Sequence, residues 1–148
     1  MWGWGSLFTA EDAEVAEGCV VLGERLRGIT GQVVDAAIKV HSALGPGLLE
    51  KAYEVCLAHE LRTRGLDVQC QLPLPVRYEG VTLDLGYRVD LLVEHAVVVE
   101  LKAVTKLLPV HEAQLLSHLK LNDFRVGLLI NFHSLRLKEG IIRLVNQL

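Results

Sequence analysis

The chain has 148 residues, 51% of them apolar and 22% charged, which suits one globular domain with a real core. Its net charge of −3 excludes a strong global field for a polyanion, so a nucleic-acid partner would be met by a local basic patch or through bound cations. Three cysteines without C-x-x-C spacing argue against a disulfide framework or a zinc site.

No stretch approaches the ~20 apolar residues of a membrane span, and the N-terminus lacks the basic start of a secretory signal. A reducing cytoplasm is the expected compartment, with no membrane partner. Residues 1–28 read as a separate arm. "TAEDAEVAEG" is small and acidic, either a helix capped by Thr9 or a tail. Trp2 and Trp4 there would stack on bases or pack on a partner subunit.

The compact domain is expected over 29–148. "TGQVVDAAIKVHSALGPG" spaces Val33, Val34, Ala37, Ile38 and Leu44 as a helix, which Gly45-Pro46-Gly47 ends. "LLEKAYEVCLAHELRTRG" carries a second stripe of Leu49, Tyr53, Cys56, Leu57 and Leu61. Arg62 and Arg64 suit its C-terminal dipole, and Gly65 stops it. Cys56 reads as a buried, inert thiol.

The period then changes to that of strands. "LDVQCQLPLPVRYEG" and "VTLDLGYRVDLLVE" are short strand runs with turns at Glu79-Gly80 and Glu94-His95. Pro73 and Pro75 mark an edge strand or an irregular lead-in. "AVVVELKAV" predicts a strand buried on both faces. "PVHEAQLLSHLKLND" predicts a helix and "FRVGLLINF" another buried strand. "SLRLKEGIIRLVNQL" suits a last strand or a short helix. The order is helix, helix, several strands, helix, strand.

Charges interrupt the apolar run "RVDLLVEHAVVVELK". Side chains alternate across a strand, so Glu100 and Lys102 share a face. A turn at Glu94-His95 brings Asp90 within cross-strand reach of Glu100. Two anions that close repel, and a divalent cation would offset both repulsion and burial. Oxygen donors of this kind suit Mg²⁺ or Mn²⁺. Lys102 would hold a nearby water or stabilise charge on a phosphate. The bland alternative is a half-exposed Glu100–Lys102 strand pair with Asp90 solvated near a turn.

Glu50, at the edge of the second helix's stripe, can reach the sheet face beneath that helix. Its alternative role is favourable charge in a first helical turn. Gln114 would bind a phosphate or a nucleophilic water, or simply belong to a polar helix face. The histidines, His111 and His118 among them, suit supporting rather than ligating roles. Lys106, Lys120, Arg125, Arg136, Lys138 and Arg143 form a basic bias that would grip a phosphate backbone or be an ordinary solvated face.

"GLLEKAY", from Gly47 to Tyr53, is a G-x-x-E-x-x-Y motif, and the chain resembles the bacterial GxxExxY proteins of the PD-(D/E)xK nuclease superfamily. "LDLGYRVDLLVE", "VVVELKAV", "LLPVHEAQLLSHLKL" and "VGLLINF" add to the likeness, which runs from about Thr30 to Val145. The resemblance implies an α/β fold with a restriction-endonuclease-like core. Its mixed central sheet is flanked by helices in the order α-β-β-β-α-β. It also implies a Mg²⁺- or Mn²⁺-dependent nuclease acting on nucleic acid, with DNA favoured over RNA.

Position by position, Glu50 matches the helix carboxylate, Asp90 the motif aspartate, and Glu100 with Lys102 the E-x-K. Glu50, Asp90, Glu100 and the Leu101 carbonyl would hold one or two ions. Gln114 matches the glutamine of a Q-x-x-x-Y motif, but His118 takes the tyrosine's place, and Val89 stands where a proline is expected before the motif aspartate. The competing readings are a non-catalytic nucleic-acid-binding module that keeps the fold and an oligomeric assembly module, as a homo-oligomer.

Overall fold

A computed structural model describes residues 10–146, with side chains from residue 17 onward. Thr9, Trp2 and Trp4 lie outside the described residues. The elements are α1 (Ala10–Leu44), α2 (Glu50–Thr63), β1 (Val68–Pro73), β2 (Val76–Tyr78), β3 (Val81–Leu83), β4 (Arg88–Val93), β5 (Val97–Lys102), α3 (Pro109–Leu121), β6 (Val126–Asn131), a 3₁₀ turn (Leu137–Gly140) and β7 (Ile141–Val145). The ambiguous C-terminal stretch thus supplies both a short helix and a strand.

Five strands form one mixed sheet in the order β1-β4-β5-β6-β7, and β2 pairs only with β3. β5 and β6 run parallel, joined by α3, while β1–β4, β4–β5 and β6–β7 are antiparallel. β6 is buried along its whole length, as its continuous apolar run predicts for a central strand. The result is a restriction-endonuclease-like α/β architecture, with helices on both faces of the sheet.

One core lies under α1 and α2, where Val33, Ala36, Ala37, Tyr53, Leu57 and Leu61 meet Leu91, Val97, Val99 and Leu128. A smaller one lies under α3, where Leu115 and Leu119 meet Val89, Leu92, Val98 and Leu129. Gly127 sits beneath α3. A Cβ there would come within 2.9 Å of Leu115 Cδ1, so glycine sets how closely the helix approaches the sheet.

α1 runs on from Ala10 through residues 28 and 29 without a break, and Leu26 is buried in the larger core. Ion pairs between Lys39 and Glu60 and between Arg64 and Asp35 tie α1 to α2. The α2 stripe is rotated from the expected one. Leu49 precedes the helix and is exposed, Cys56 is only half-buried, and Glu54 is buried with Tyr53, Leu57, Ala58 and Leu61. Both expected turns are present, with positive φ at Glu79, Gly80, Glu94 and His95. That is the backbone handedness that matches antiparallel strands. No described helix is long and apolar enough to cross a membrane.

Candidate active site

The G-x-x-E-x-x-Y stretch is first a structural device. Gly45 and Gly47 both take positive φ around Pro46, conformations glycine adopts cheaply. Tyr53, buried and stacked on Phe132 at 4.4 Å, donates its hydroxyl to the Gly45 carbonyl at 2.6 Å and accepts the Leu48 amide at 3.0 Å. The tyrosine therefore closes the α1–α2 turn and fixes where α2 starts. Glu50, the first residue of α2, accepts the Ala103 amide at 3.2 Å and remains exposed. The motif carboxylate thus sits over the C-terminal end of β5, one residue past Lys102.

The strand pair beneath is interrupted at Asp90. The β4–β5 pairs end at Leu91 with Val99, so Asp90 and Glu100 face each other one step beyond the ladder. On its other side β4 pairs Leu91 with Cys70 and Val89 with Leu72, skipping Asp90 and Gln71. Gln71 has φ of 53°, which breaks the regular extended backbone there. Asp90 replaces the missing ladder bond with its side chain, Oδ2 accepting the Leu101 amide at 2.8 Å. The motif aspartate is thereby bonded to the residue between Glu100 and Lys102.

Glu54, which the sequence reading did not select, is buried and is linked to this point through Gln71. The Gln71 amide donates to Glu54 Oε1 at 3.0 Å and to Asp90 Oδ1 at 3.3 Å. Lys51 adds an ion pair to Glu54 at 3.1 Å. The signal was present in the sequence: Glu54 is one turn after Glu50, a polar residue inside an apolar stripe. Burial pushes the Asp90 carboxyl above its ordinary value, and the charges of Glu100 and Glu54 push it the same way. The Leu101 and Gln71 hydrogen bonds act against this.

Glu100 is also buried, and His118 on α3 donates its Nδ1 proton to Glu100 Oε1. Lys102 is half-buried and makes no ion pair among the described residues. Gln114 lies one turn before His118 on the exposed side of α3, beside the same groove that His118 lines. Asn131 was not selected from the sequence either. It is buried at the end of β6 and holds the loop after β5, accepting the Val104 amide at 3.1 Å and donating to the Val104 carbonyl at 2.8 Å. His111, by contrast, closes the start of α3, its Nδ1 accepting the Leu108 amide at 3.0 Å.

Among the described residues no group of three or more His, Cys, Asp and Glu side chains is arranged to hold a metal ion. Mg²⁺ needs fewer protein ligands, since it keeps several waters and binds through one or two carboxylates. Asp90 and Glu100 are carboxylates of that kind, and the charges of Glu100 and Glu54 add to the burial that raises the Asp90 carboxyl. The residues fit a hard divalent ion.

The five-strand mixed sheet with helices on both faces defines an α/β protein with a restriction-endonuclease-like core. A model of the PD-(D/E)XK nuclease superfamily matches residues 27–144, and the chain belongs to that superfamily. No curated protein and no solved structure gave a significant match.

Proposed function

We propose that this is a metal-dependent nuclease that hydrolyses phosphodiester bonds of nucleic acid, DNA before RNA, and that it is of the GxxExxY type. The observation that carries this reading is the bond from Asp90 to the Leu101 amide, which sets the motif aspartate against the E-x-K segment. Asp90 and Glu100 would hold the ion, Mg²⁺ or Mn²⁺, with Glu50 and the Leu101 carbonyl as further oxygen donors. When bound, the ion supplies a Lewis acid that polarises the phosphate and lowers the pKa of water.

The chain's own groups do the rest. His118 fixes the Glu100 carboxylate by hydrogen bond. Lys102 offers an ammonium with no internal partner among the described residues to charge developing on phosphate oxygen. Gln114 orients the nucleophilic water or a phosphate oxygen. Three free thiols, Cys19, Cys56 and Cys70, suit a reducing cytoplasm.

The test is cleavage of plasmid and single-stranded DNA with Mg²⁺ or Mn²⁺ by the wild type, Glu100→Ala and Lys102→Ala. Loss of activity in both variants is expected, and equal activity in all three proteins overturns the assignment. A second reading, binding without turnover, draws on the engagement of Glu100 by His118. It requires that no protein cleave and that Glu100→Ala bind nucleic acid as the wild type does.

A further inference from the structure

A groove of about 440 Å³ lies beside the candidate catalytic residues, between α3 and the chain leading into β4. Its volume falls in the range of about 300–1,000 Å³ common to small-molecule sites. Val76 and Leu85 give it apolar wall, Tyr87 and His118 give it rings, and Gln114 and Ser117 give it an amide and a hydroxyl. Tyr87 is 49% exposed, three residues before Asp90, and its ring centre is 5.8 Å from that of His118. His118 in turn donates to Glu100, so groove and site share a side chain.

We propose that this groove holds one unpaired nucleobase of the substrate, stacked on Tyr87, with its polar edge toward Ser117. The inference deepens the nuclease reading and rests on it. A flat ring with polar edges is the ligand that matches an exposed aromatic face with a hydroxyl at its rim. Aromatic stacking of this kind is tolerant of sequence because every base has a π-face. A base inside a duplex is already stacked and paired, so it cannot enter without being extruded. The site therefore selects single strands or frayed ends, and Tyr87 is the residue that sets this preference.

The experiment uses the full chain in EDTA and follows fluorescence anisotropy of a labelled oligodeoxythymidylate of about 16 nucleotides, as long as the site of one single-strand-binding fold. The wild type is expected to bind the single strand more tightly than a duplex of the same length. Tyr87→Ala weakens single-strand binding by about 10-fold or more, whereas Tyr87→Phe keeps the stacking face and stays within about 2-fold. An abasic chain of equal length binds the wild type as weakly as the thymidylate binds Tyr87→Ala, and that substitution has no further effect on it.

No binding by the wild type, unchanged binding by Tyr87→Ala, or an equal loss on the abasic chain overturns the proposal. So does a change of mass in sedimentation caused by Tyr87→Ala, which would make the groove a contact between copies. The two readings fail separately. Tyr87-dependent binding without any Mg²⁺-dependent cleavage removes the nuclease assignment alone. Cleavage by a wild type whose affinity ignores Tyr87 removes the groove alone.

Discussion

Asp90 accepts the Leu101 amide at 2.8 Å, one residue beyond the last pair of the β4–β5 ladder. A side chain has taken over a backbone hydrogen bond at the place where two strands part. The bond satisfies an amide that would otherwise lose its partner. It also holds a carboxylate in a half-buried position among other carboxylates, which gives the free protein a pH signature.

Burial, then the charges of Glu100 and Glu54, raise the Asp90 pKa above its ordinary 3.8. Between the ordinary and the raised value the folded chain keeps a proton that the unfolded chain releases. Its contribution to stability is fully present below the ordinary value and is lost as pH rises through the raised one. In EDTA, the urea midpoint of the wild type should fall across that window. Asp90→Asn should flatten this part of the profile, and an unaltered slope in the variant would assign the effect to another group.

A divalent ion should reverse that loss. An ion bound only by the folded state at about a hundred times its Kd stabilises by about 2.7 kcal/mol. Scanning calorimetry should therefore show Tm rising with Mg²⁺ or Mn²⁺ for the wild type. The double variant Asp90→Ala, Glu100→Ala should show little of that rise. An equal rise in both proteins would place the ion elsewhere.

Tyr53 closes the α1–α2 turn with two hydrogen bonds, to the Gly45 carbonyl and from the Leu48 amide. Tyr53→Phe keeps the stack on Phe132 but orphans both backbone groups. The expected cost is about 1–3 kcal/mol in urea unfolding. Because the turn fixes where α2 starts, cleavage should fall further than the folded fraction does. A purely stabilising role would instead leave the activity of the folded protein unchanged.

Asn131 bonds both the amide and the carbonyl of Val104 and also accepts the His133 amide at 3.2 Å. Asn131→Ala should lower stability by about 1–3 kcal/mol. Hydrogen exchange should show the 103–108 segment opening before the rest of the sheet. Protection there equal to the wild type's would remove Asn131 as the clamp.

That Asp90 and Glu100 lie within cross-strand reach was legible in the sequence because it is local: strand alternation and a turn near Glu94-His95 make a hairpin. Their direct opposition depends on the turn also taking in Ala96, so that Val93 pairs with Val97, which only the structure decided. Like the hairpin, the end of α1 was legible as a local feature, since Gly45-Pro46-Gly47 cannot continue a helix. Tertiary structure alone decided the sheet order β1-β4-β5-β6-β7, the link of Glu54 through Gln71 to Asp90, and the bond from His118 to Glu100. Those relations join residues 17 to 19 positions apart across different elements. No local period or turn encodes such contacts. They follow from how α2 and α3 settle on opposite faces of one sheet.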